Sequence, residues 1–118
     1  VALESKLTAL LKGVCPRAYP DFAPNGTARP YVTYQQIGGD VINPLARDVP
    51  NAENAEMQIT VWSDTRGEAK ALIKQIEAAL IVATDFTAKP RSAAASDFDA
   101  DIPLYSSRQD FRIWCDRT

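Results

Sequence analysis

The chain has 118 residues, a formal net charge of −2, 46% hydrophobic and 24% charged residues, and no histidine. That length suits one domain burying about two-thirds of the surface its unfolded chain exposes, so neither a disulfide nor a metal is needed to hold it together. The composition argues against a disordered chain, and mixed charge without a run of Lys or Arg argues against the basic stripe of a nucleic-acid binder.

Leu3, Leu7, Leu10, Leu11 and Val14 recur at helical spacing, and Gly13 and Pro16 end the pattern, which predicts a first amphipathic helix. Glu4, Lys6 and Lys12 interrupt this segment, so it does not read as the apolar stretch of a signal peptide, and synthesis in the cytosol is expected. Residues 17–30 are dense in turn formers, with a short edge strand at 18–19. After Pro30, residues 31–37 are rich in β-branched and aromatic side chains and predict a strand whose buried face the pattern leaves open. Residues 38–53 read as a long loop, with Val41, Ile42, Leu45 and Val49 scattered through it.

Residues 54–62 alternate, with Ala55, Met57, Ile59 and Val61 on one face and Glu56, Gln58, Thr60 and Trp62 on the other, as in a half-buried central strand. Asp64 or Thr65 then offers a helix N-cap, with Glu68 completing a capping box, and the inward stripe is Ala69, Leu72, Ile73, Ile76, Leu80 and Ala83. A weak strand is expected at 85–91, and a flexible connection or wide hairpin loop at 92–101. A long strand follows at 104–116, with Phe111, Ile113 and Cys115 facing one way and Arg108, Asp110, Arg112 and Trp114 the other. The order predicts an α+β two-layer sandwich: an antiparallel or mixed sheet with both helices packed on one face, in a single domain spanning 1–118.

Little here supports chemistry. Without histidine there is no Ser-His-Asp or Cys-His pair and no histidine general base. Cys15 and Cys115 read as buried thiols; a bridge between them is the alternative, and it depends on a Cα separation the sequence does not give. Gly38 and Gly39 follow a strand but precede no helix, so no phosphate loop is present. Asp97, Asp99 and Asp101 lack the glycine and distal glutamate of a calcium loop and read as a solvated acidic loop, while Glu53 and Glu56 read as a strand's polar entrance. No cofactor is expected. The two tryptophans are more informative: Trp62 and Trp114 fall on the faces predicted to point away from the helices. They could cap the sheet, or make a subunit contact with Gln58, Thr60 and Arg112, since aromatic and Arg residues anchor interfaces.

Three stretches, AYPDFAPNGTARPYVTYQQIGG at 18–39, AEMQITVWSDTRGEAKALIKQIEAAL at 55–80 and LYSSRQDFRIWCD at 104–116, together resemble the tail-completion, or head-to-tail joining, proteins of long-tailed bacteriophages and prophages. The most specific parts are the turn at 19–24, the Pro-Tyr-Val-Thr-Tyr strand at 30–34 and the Val-Trp strand end feeding a capped helix at 61–68. The resemblance implies a small structural protein, not an enzyme, that joins the end of a finished tail tube as a ring and offers the docking surface for the filled head. It implies contacts with a tail-tube protein and a head-connector protein. It also implies assembly in the bacterial host cytoplasm, residence at the virion head-tail junction, and no direct sequence-specific nucleic-acid or membrane binding. On this reading the loops at 38–53 and 92–101 line a ring lumen or grip neighbours and fold fully only on assembly. The interface candidates are Trp62, Trp114, Arg112, Gln58, Val41, Ile42, Leu45 and Arg47. A small adaptor or regulator binding a host protein through the tryptophan face is the alternative, and an enzyme using carboxylates alone is a third.

Overall fold

A computed structural model describes residues 3–39, 52–84 and 86–116. Helix α1, Leu3–Val14, buries Leu3, Leu7 and Leu11 at the four-residue spacing that stacks side chains on one helix face, with Leu10 and Val14 half-buried beside them. Its last turn closes as the Cys15 N–H donates to the Leu11 carbonyl (2.8 Å), and Pro16, which has no N–H, cannot extend it. Strand β1, Ala18–Pro20, runs parallel to β2, Tyr31–Gly38, pairing Ala18 with Val32 and Pro20 with Tyr34. The sheet is therefore mixed.

Strand β2 buries Val32 and Tyr34 on the helix side, the face its sequence pattern left open. It pairs antiparallel with β3, Ala52–Ser63, and a bulge between Gln36 and Gly38 leaves Ile37 as the extra residue. Gly38 therefore belongs to β2, and β3 starts at Ala52, so the two strands take both ends of the stretch that reads as a long loop at 38–53. The next residue, Gly39, has φ 151° and lies so close to β3 that a Cβ would overlap the Asn54 carbonyl oxygen. Only glycine suits both the dihedral and the space.

Helix α2, Arg66–Ile81, begins at Thr65, whose hydroxyl accepts from the Glu68 N–H (3.2 Å). The other half of the cap differs from the expected box: Glu68 accepts from the Ser63 hydroxyl, and Ser63 Oγ accepts from the Thr65 N–H (3.3 Å). The fully buried last residue of β3 thus relays the contact between the helix's first acid and its cap. Ala69, Ile73, Ile76 and Leu80 are buried, and Leu72 and Ala83 pack at the margin.

After α2 come β4, Thr87–Pro90, β5, Ala95–Asp99, and β6, Leu104–Asp116. Strand β6 pairs with β3 from Ala52 and Asp116 to Ser63 and Tyr105. Its other edge carries both β4 and β5, giving the order β1-β2-β3-β6-β4 with β5 also on β6. Pro90 pairs with Phe111 and Ala95 with Arg108, so residues 91–94 stand opposite only 109 and 110. The segment expected as a flexible connection at 92–101 thus contains a paired strand. Its alternation was hidden because every residue of β5 is exposed, so no apolar face marks it.

The core lies between the helices and one sheet face, with Phe111, Ile113, Met57, Ile59 and Val61 beneath Ile73, Ile76, Leu80, Leu7 and Leu11. Burying each such side chain stabilises by about 1.5–3 kcal/mol. Cys15 and Cys115 are separate buried thiols at its margin. Phe111→Ala should lower the urea-derived unfolding free energy by about 3–5 kcal/mol. Arg108→Ala, on the exposed face of the same strand, should change it by no more than about 0.5 kcal/mol.

Candidate functional site

The sheet face away from the helices is the surface on which strand alternation places the candidate interface residues. By register, Tyr31, Thr33 and Gln35 of β2 lie beside Trp62, Thr60 and Gln58 of β3, which lie beside Ser106, Arg108 and Asp110 of β6. At one end Tyr31 and Trp62 stack with ring centroids 6.2 Å apart. The indole N–H donates to Thr33 Oγ1 (2.9 Å), which leaves Thr33 buried although it points away from the helices. Arg29, just before β2, clasps this end: its guanidinium donates to Asp64 (2.9 Å), which precedes the α2 cap, and to the Pro103 carbonyl (3.0 Å) in the β5–β6 turn. A small second packing centre results, with Leu104 buried nearby outside the main core.

Toward the other end the face becomes ionic. Glu56 and Arg112 are cross-strand partners, and Arg112 Nη2 lies 3.0 Å from Glu56 Oε1. Arg91, at the end of β4, reaches the same oxygen through Nε (3.2 Å). Glu56 is about one-quarter exposed, so the three groups are partly shielded from solvent, where a charge-assisted bond is stronger than on an open surface. Past this triad Trp114 lies opposite Asn54 and beside Thr87, with 38% of its surface exposed.

The structure separates the candidates into two groups. Trp62 and Trp114 share a face, as the alternation predicts, but they sit at opposite ends of the β3–β6 ladder, eight residues or about 27 Å apart. Trp62 is committed to Tyr31 and Thr33, while Gln58 and Arg112 occupy the ground between. Val41, Ile42, Leu45 and Arg47 lie outside the described residues. Sequence reasoning missed the Arg29 clasp, Arg91 and the pairing of Glu56 with Arg112. The one available signal was that Glu56 and Arg112 both belonged to outward-facing sets of long strands. Among the described residues no group of three or more His, Cys, Asp or Glu side chains could hold a metal ion, and no helix is long and apolar enough to cross a membrane.

The family model described as "Tail completion protein gp17" matches residues 2–116. The chain belongs to the tail-completion protein family. Membership gives it a structural role in virion assembly at the tail. This tail-completion protein is also similar in fold to a chain in the solved "Virion of native gene transfer agent (GTA) particle", with a TM-score of 0.64 and 19% identity. The likeness covers 98% of this chain and 95% of that one. No curated protein sequence matches the chain. The resemblance drawn from the three sequence stretches is thus borne out at the level of the family, as is the α+β fold with both helices on one face.

A double-mutant cycle tests the ionic end of the face. Glu56→Ala should destabilise by about 1–3 kcal/mol because it removes a carboxylate bonded to two guanidiniums. Glu56→Ala and Arg112→Ala should couple by about 0.5 kcal/mol or more in denaturant melts. Strict additivity would remove the pair from the stability of the sheet.

Proposed function

We propose that this tail-completion protein caps the finished tail tube, associates there as a ring, and supplies the surface on which the head docks. It does so without catalysing a reaction. The observation that carries this reading is the family match over residues 2–116, which leaves almost none of the chain for another role. The open sheet face supports it physically. Half-buried aromatic, amide and guanidinium groups suit a surface that is stable in water and still able to bond to a partner.

Within this reading Trp114, Arg112 and Gln58 are the contact residues on the sheet face, and Trp62 holds that face in shape. Val41, Ile42, Leu45 and Arg47 belong to the proposed contact surface contributed by the 38–53 segment. The adaptor alternative loses support because Trp62 is already engaged with Tyr31 and Thr33 within the chain.

Two measurements test the proposal. Electron microscopy of a lysate from the producing strain lacking this gene should show filled heads apart from finished tails, against joined particles in the intact strain. Normal joined particles in the deletion would refute the joining role. In a Trp62→Phe variant, where Trp114 is the remaining tryptophan, acrylamide should quench fluorescence readily in the free chain. Quenching should fall by about half or more once the chain is assembled on tails, as expected for an aromatic anchor buried at an interface. Unchanged quenching would take Trp114 out of the contact.

A further inference from the structure

Between α2 and the irregular segment 91–94 lies a cleft of about 560 Å³. Lys70 and Lys74, one helical turn apart, line one wall with Glu77, and Arg91 lines the other. Arg91 reaches Glu56, whose carboxylate it shares with Arg112. Ile73 and Gln109 complete the lining. Gln109 is 3% exposed, and its Nε2 donates to the Ser92 carbonyl (2.9 Å), while its Oε1 has no donor. A buried amide oxygen without a donor costs free energy, so a cleft lined by one favours an occupant that brings an N–H.

The same chain carries a feature of complementary chemistry. The tip of the β5–β6 hairpin holds Asp97, Asp99 and Asp101, all exposed, with no basic residue between 92 and 107. Asp97 accepts from the Phe98 N–H (2.8 Å) and Asp99 from the Asp101 N–H (3.0 Å), which shapes the acidic turn locally, and Ile102 is 52% exposed beside it. The hairpin cannot fill its own cleft. Leu104 and Gln109 are five residues apart on one paired strand, a separation of about 17 Å that the ladder fixes. A tip and a cleft at different places on one surface make a head-to-tail contact, which closes into a ring or continues as a fibre according to the rotation between copies.

We propose that the acidic hairpin tip of one copy seats in the α2 cleft of the next. Its aspartates meet Lys70 and Lys74, and an N–H of the turn donates to Gln109 Oε1. This rests on the reading of the chain as a ring-forming tail-completion protein, and it names the contact that builds the ring.

Charge exchange tests it. Lys70→Glu/Lys74→Glu and Asp99→Lys/Asp101→Lys change exposed residues, and circular dichroism melts would establish that each variant folds. In sedimentation equilibrium each variant alone should self-associate at least about tenfold more weakly than the wild type, since like charges then face each other. An equimolar mixture of the two should recover wild-type association, because every tip again meets a cleft of opposite sign. Variants that associate like the wild type, a mixture that does not recover, or a wild-type chain that stays monomeric at every concentration would each overturn the contact. Binding of the wild-type chain to purified tail tubes reads the parent proposal separately. A chain that associates through the cleft yet ignores tail ends would keep this contact and refute the tail-capping role.

Discussion

Backbone pairing between β3 and β6 runs unbroken from Ala52 and Asp116 to Ser63 and Tyr105, and the other elements are attached to it. Strand β2 takes the free edge of β3, while β4 and β5 take the free edge of β6. Helix α2 lies across β3, β6 and β4, and α1 packs against α2 and β1. Because side chains alternate along paired strands, this one ladder fixes two surfaces at once. One is the apolar floor on which the helices rest. The other is the polar and aromatic face left open.

The open face is not a passive remainder of the core. At its two ends it has different chemistry, with a stacked and hydrogen-bonded aromatic pair near the α2 cap and a carboxylate shared by two guanidiniums nearer the free end of the ladder. Arg29 ties the first end to both the residue before the α2 cap and the β5–β6 turn, so the approach to the helix and the hairpin are held to the same patch. Such bonding keeps side chains in place before any partner arrives, and preorganised groups lose less conformational entropy on contact.

The residues that declared themselves in the sequence were those whose burial follows a period. The leucines of α1, the alternation of β3 and the Phe111-Ile113-Cys115 side of β6 needed only spacing to be read. Strand β5 was hidden because Ala95–Asp99 is exposed throughout and is ordered by backbone pairing with β6, which leaves no trace in side-chain type. The faces of Trp62 and Trp114 were legible, but their separation was not, because it depends on which residues of β3 and β6 oppose each other. The Glu56, Arg91 and Arg112 cluster depends on the same register and, for Arg91, on where β4 ends. The cap of α2 was half legible: Thr65 and Glu68 stand at the familiar spacing, whereas Ser63 enters only because the end of β3 brings a buried hydroxyl beside them.

The mismatch along the outer edge of β6 has a parity. Four residues, 91–94, stand where the partner strand has two, so the surplus is even and the alternation of side chains resumes after it in the same phase. The aspartates of β5 therefore continue on the solvent side set by Thr87 and Lys89 of β4. That side is held by the pairing of Asp99 with Leu104 across the short 100–103 turn, because a residue's face follows that of its partner on β6. Residues added to or removed from the unpaired segment are absorbed between the two strands, as Ile37 is absorbed in β2. The reach of the tip is set by the length of the hairpin itself, which can differ while its acidic side stays outermost and the fold beneath it is unaltered.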